Sequence, residues 1–149
     1  MSASLHLAGP GDLTKVKLLV HAFHDEAGIN STEETRHAGV EPLLNNSPYG
    51  AIYLIGPARA PIGYIVITFG WSVEFGGMDA FVDELYVRSA VRGRGVASEV
   101  LKELPNALAG AGLRAIHLEV DRENEVAQRL YLRNRFVPRE KYMLMSKSF

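Results

Sequence analysis

The sequence contains no cysteine. Disulfides, thiolate metal sites and a covalent cysteine–acyl intermediate are therefore excluded. Neither sign of charge is in excess: 16 basic and 17 acidic residues leave a formal net charge of −1, whereas nucleic-acid-binding domains usually carry a marked basic surplus. No apolar run approaches the roughly 20 residues that a membrane-spanning helix needs. A basic start followed by an unbroken apolar stretch, the mark of a signal peptide, is also lacking. The expected setting is soluble and cytoplasmic, with no nucleic-acid or membrane partner. Repeats, low-complexity tracts and linkers are missing too, so the 149 residues are expected to form one domain. Hydrophobic and charged contents of 47% and 22% lie near the globular norm and exclude disorder.

The patterning divides the chain into elements. Leu5 and Leu7 alternate with polar or small neighbours in a short strand closed by Gly9-Pro10-Gly11. Asp12 is placed to cap a helix in which Leu13, Val16, Leu19, Val20 and Phe23 share one face, and Gly28 ends it. Ser31 and Glu34 have capping-box spacing and open a second helix toward Leu43-Leu44. From Ala51 the period changes. The runs 51–55, 62–69 and 81–87 read as an antiparallel meander. A helix from Gly95 to Ala109 follows, with a kink or early end expected at Pro105. Then come a strand at 115–120, a helix at 124–133 and a closing strand near Tyr142–Ser146. This order implies a mixed α/β sheet with helices on both faces.

The strand Val82–Val87 and the helix after it are joined by Arg88-Ser89-Ala90-Val91-Arg92-Gly93-Arg94. Gly93 and Gly95 permit positive φ and close approach to a ligand. The first-turn N–H groups of the next helix, at Val96, Ala97 and Ser98, have no acceptor within the helix, and the helix dipole adds positive potential. Such a terminus suits a pyrophosphate. Arg92 and Arg94 supply charge, and Ser98 a hydroxyl. The P-loop is excluded because Val96-Ala97 stands where Lys-Ser or Lys-Thr is required. The dinucleotide fingerprint needs three glycines and has only two here.

Arg92-x-x-Gly95-x-Ala97 after Leu85-Tyr86-Val87 resembles the acyl-CoA motif of the GNAT superfamily of N-acetyltransferases. The resemblance runs from about Val82 to Phe136 and includes Leu118-Glu119-Val120, Asn124, Ala127 and Leu130-Tyr131. It implies a mostly antiparallel sheet flanked by helices and splayed between the fourth and fifth strands. It also implies acetyl-CoA as co-substrate and no metal. The backbone of Leu85, Tyr86 and Val87 should lie beside the pantetheine arm, and Asn124 and Ala127 belong to the same cofactor motif. Two positions depart from the family pattern. Arg135 replaces a glycine before the aromatic Phe136, and Ser89-Ala90 lacks the usual proline.

The resemblance assigns Tyr131 as the acid for the departing thiolate. A phenol with a pKa near ~10 holds its proton at neutral pH. Asp83 and Glu84 are the candidates for receiving the amine proton. As neighbours on a strand they should face opposite sides of the sheet, with Asp83 slightly preferred. Trp71 and Phe75 could bind a cationic amine through their rings, or serve only as cross-strand packing partners. Glu26, with Glu33 and Glu34, could add ionic contacts. His21 and His24 have a spacing that can hold a metal but lack a third ligand, and His117 reads as a packing residue. The resulting expectation is acetyl transfer to a small amine, a polyamine or a protein amine by direct attack. A non-catalytic acyl-CoA-binding module and a nucleotide-binding protein are the alternatives. Pairing through the C-terminal strand makes a homodimer an option.

Overall fold

The computed structural model describes residues 4–149. The chain divides into two compact units, the first running to Glu119 and the second from Val120 to Phe149.

In the first unit, β1 (Leu5–Leu7), β2 (Gly50–Ile55), β3 (Gly63–Ser72), β4 (Gly77–Val87) and β5 (Ala115–Leu118) form one sheet in that spatial order. The first three neighbouring pairs are antiparallel and β4–β5 is parallel. Pairing of β5 stops at Val82–Leu118. Asp83 to Val87 thus continue along β3 with no β5 partner, which is the expected splay.

Helices α1 (Leu13–Ala27) and α2 (Glu33–Leu44) cover one face. Val16, Leu19 and Val20 of α1 pack there with Ile52, Tyr64 and Val66. Alternation turns Ile65 and Ile67 to the other face, where both are fully buried and α3 (Val96–Gly110) packs on β4. Truncating such a side chain to alanine costs about 2–5 kcal/mol, so these residues fix the strand carrying the candidate site. Gly63 has a specific reason to be glycine: a Cβ there would stand 2.1 Å from the Tyr86 carbonyl oxygen.

Several boundaries differ from the sequence expectation. Asp12 precedes α1, but its carboxylate turns back to accept from Gly9 N at 3.0 Å rather than capping the helix. The cap of α2 is Thr32, whose hydroxyl oxygen accepts from Thr35 N, and not Ser31. Ser31 is held elsewhere, by Arg36 and His24. Pro105 does not end α3. The apolar stripe Val100, Leu101 and Leu104 is buried, and one missing backbone donor does not outweigh it. Gly28 ends α1 with φ 71°, as expected.

The second unit contains α4 (Glu125–Arg133). Tyr142–Ser146 forms no strand, and Tyr142, Met143, Leu144 and Met145 are exposed. The segment has no ladder partner among the described residues, and β propensity alone does not make a strand.

Candidate active site

Gly93 and Gly95 adopt φ 79° and 78°. Gly95 is the N-cap of α3 and provides no side-chain cap. The start of the helix therefore has no side-chain cap on its backbone amides, and Glu99 N donates to Gly95 O at 3.0 Å. No atom lies within 4 Å of where a Cβ would stand on either glycine, so the turn opens to space on that side. An uncapped helix start behind two left-handed glycines fits a pyrophosphate.

Both arginines of the turn are exposed, but Arg92 is anchored. Arg92 Nε donates to Val87 O at 2.7 Å, and Nη2 lies 2.5 Å from Glu26 Oε2. Its guanidinium also sits 5.6 Å from the Tyr86 ring centre. The bond to Arg92 holds Glu26 below the usual carboxylate range, and the same bond raises Arg92. Glu26, expected among the acceptor residues, is ion-paired to the turn before α3. Its distance in sequence concealed this.

On β4 a bulge alters the carboxylate pair. Val66 pairs with Glu84 and Ile67 with Val82, leaving Asp83 as the extra residue. The expectation that Asp83 and Glu84 take opposite faces by strict alternation fails here, because a bulge interrupts the period of two. Glu84 faces the α1 side. It accepts from Tyr64 Oη at 2.8 Å and lies 2.5 Å from His24 Nε2. Asp83 reaches solvent, yet its carboxyl is pushed above the ordinary range, first by burial and then by Glu84 and Glu119, while His24 pulls the other way. Tyr64, fully buried beside Glu84, is pushed up strongly by burial. Sequence reasoning missed the His24 contact: the two residues are 60 positions apart, and only the apolar face of α1 hinted at which side meets the sheet.

Trp71 is 76% exposed and pairs with Met78 across the ladder, with no ring contact among the described residues. Phe75 contacts His117 with ring centres 5.6 Å apart. His117 also touches Phe81 and lies 3.3 Å from Asp79 Oδ2. It is a packing residue with an acidic partner. Glu33 pairs with Lys17, and His21 is exposed. No cluster of three metal-ligating residues occurs among the described residues.

Within the second unit, Asn124 caps α4, its side chain accepting from Ala127 N at 3.1 Å. Tyr131 is half-buried, packs edge-on against Phe136 at 6.0 Å, and has its phenol raised by burial. Arg135 adopts φ 68° in the turn after α4. The position where the family pattern has glycine thus keeps the left-handed backbone without one.

A parallel β4–β5 pair that parts beyond Val82, a bulge in β4 and an uncapped glycine turn after it define an acyl-CoA-type transferase domain. The chain belongs to the GNAT acetyltransferase family, whose sequence profile matches residues 18–136. It is similar in structure to integron cassette protein HFX_CASS3, from the mobile metagenome of Cole Harbour Salt Marsh, at 29% identity and TM-score 0.83, over 97% of this chain and 89% of that one. An aminoglycoside acetyltransferase from an uncultured soil metagenomic sample, solved with sisomicin, shares the fold at 12% identity and TM-score 0.78, covering 99% and 96% of the two chains. The ribosomal-protein-alanine N-acetyltransferase of Brucella melitensis biovar Abortus 2308 does so at 16% identity and TM-score 0.76, over 99% of each. None of the curated proteins matches the sequence.

Proposed function

We propose that the protein transfers an acetyl group from acetyl-CoA to a primary amine by direct attack. The observation that carries this reading is the α3 start without a side-chain cap behind Gly93 and Gly95, following the stretch of β4 that has no β5 partner. The backbone amides of Val96, Ala97 and Ser98, with Arg94 and the turn glycines, would hold the pyrophosphate. The edge at Leu85, Tyr86 and Val87 would offer backbone groups to the pantetheine arm. Acetyl-CoA, the family's donor, supplies the activated acetyl group when bound.

The amine must lose its proton to become a nucleophile. Asp83 suits that task better than Glu84. It reaches solvent and its burial and neighbours make it more basic, whereas both oxygens of Glu84 already receive protein donors. Tyr131, raised by burial, keeps its proton at neutral pH and would give it to the departing thiolate. Trp71 and Phe75, exposed on β3 and the hairpin after it, would meet the acceptor.

Titration with CoA and with ATP, followed by assay of CoA release over a panel of polyamines, aminoglycosides and lysine peptides, tests the proposal. Preference for CoA together with turnover on one amine class supports it. CoA binding without turnover on any amine favours a non-catalytic module, and a preference for ATP sinks the reading. Tyr131→Phe should lower the rate while leaving CoA affinity intact.

A further inference from the structure

His24 stands on the last turns of α1 with both ring nitrogens engaged. Nε2 lies 2.5 Å from Glu84 Oε2, and Nδ1 lies 2.7 Å from Ser31 Oγ. Arg36 Nη1 donates to that same hydroxyl oxygen at 3.1 Å. This occupies one lone pair and leaves the Ser31 proton to turn toward the imidazole. A neutral His24 then carries its proton on Nε2 and donates it to Glu84. From the other side, Tyr64 donates to Oε1 of the same carboxylate at 2.8 Å. The side chains of His24 and Glu84 are only 13% and 18% exposed. Both oxygens of this carboxylate are therefore committed to protein donors. Asp83, next to it on the bulge, feels its charge.

We propose that His24 is a positioning residue for the amine-side base: it locks Glu84 as an anion, and its own protonation cancels the field that Glu84 exerts on Asp83. The inference rests on the reading of Asp83 as the group that receives the amine proton. The groups facing His24 are Glu84 and Asp83 from β4, Tyr64 from β3, Ser31 from the loop before α2, and Arg36 from α2. Negative charge comes from Glu84 and Asp83, with Glu119, just after β5, acting on Asp83 as well, and positive charge from Arg36, one hydroxyl away from Nδ1. A second proton on His24 requires only that Ser31 rotate from donor to acceptor. The imidazolium then sits in contact with Glu84 and offsets its charge, and Asp83 becomes a weaker base.

The test compares wild type with His24→Gln and His24→Ala. Glutamine offers Glu84 an amide donor but cannot take up a proton. Carboxyl-carbon NMR titration of Asp83 needs no acceptor. In His24→Gln its midpoint should move to higher pH, since the opposing imidazolium is gone. With spermidine, sisomicin and a lysine peptide as acceptors, the acid limb of kcat/KM should move by the same amount. The plateau rate should be kept in His24→Gln and fall in His24→Ala. An Asp83 titration identical in wild type and His24→Gln overturns the proposal. If wild type acetylates none of the three amines, the proposed transfer reaction is in trouble on its own account, while the Asp83 titration still decides the role of His24.

Discussion

Glu26 on α1 and Arg92 in the turn before α3 are joined by an ion pair at 2.5 Å, with both side chains nearly half exposed. This pair engages one of the two arginines of the motif and would compete with a bound phosphate for it. Glu26→Gln should remove that competition. An exposed pair contributes about 0–1 kcal/mol, so CoA affinity should rise by no more than about fivefold and stability should fall by less than about 1 kcal/mol. The sign with pH follows from the lowered carboxyl of Glu26. Its stabilisation is present above the ordinary carboxylate range and lost as pH falls through the folded value. Calorimetric titration with CoA, and melting curves at neutral and acidic pH, check both effects.

The turn glycines make a separate demand. Gly95 holds φ 78° in open space. Alanine there costs about 1–2 kcal/mol from the left-handed backbone alone. Relaxing that strain rotates the first amides of α3. Gly95→Ala should therefore weaken CoA binding roughly tenfold or more for a loss of about 1.4 kcal/mol in binding. Undiminished CoA affinity in a folded variant would show that the anion does not use these amides.

The sequence made this turn legible because its signals are local: two glycines, flanking arginines and a helix pattern after them. The strand order was legible for the same reason, since each run carries its own period and turn residues. What escaped depends on distant pairing. The bulge at Asp83 exists only relative to Val66 and Ile67 on the neighbouring strand, and nothing in Asp83-Glu84 announces an extra residue. His24 and Glu26 read as surface groups on α1 because their partners, Glu84 and Arg92, lie 60 and 66 positions away. At Tyr142–Ser146 the opposite error arose. Apolar composition suggested a strand, but a strand needs an edge to pair with.

Arg135 offers a gain in stability. It holds φ 68° after α4, where Phe136 N and Arg135 N bond to Tyr131 O and Leu132 O, each at 3.0 Å. A left-handed non-glycine residue costs about 1–2 kcal/mol, and glycine returns about 0.5–1 kcal/mol of that as unfolded-state entropy. Arg135→Gly should stabilise the folded chain by about 0.5–1 kcal/mol. Chemical denaturation at neutral pH measures it, and a lower midpoint would contradict the strain argument.

Asp83 sets activity against stability. Its carboxyl is raised, so the folded state holds that proton more tightly than the unfolded chain does. The sign is therefore the reverse of that for Glu26. No penalty exists below the unfolded value; it develops as pH rises toward the folded value and is complete above it. Asp83→Asn removes the ionisable group and should melt higher than wild type at pH 7, with the advantage fading on acidification through the carboxylate range. The same substitution deletes the proposed proton acceptor and should lower kcat by about 10²–10⁴, with CoA affinity unchanged. A variant both more stable and nearly inactive would identify Asp83 as a group kept for chemistry at the expense of the fold. Full activity in Asp83→Asn would instead move the base elsewhere, with Glu84 the next residue to replace.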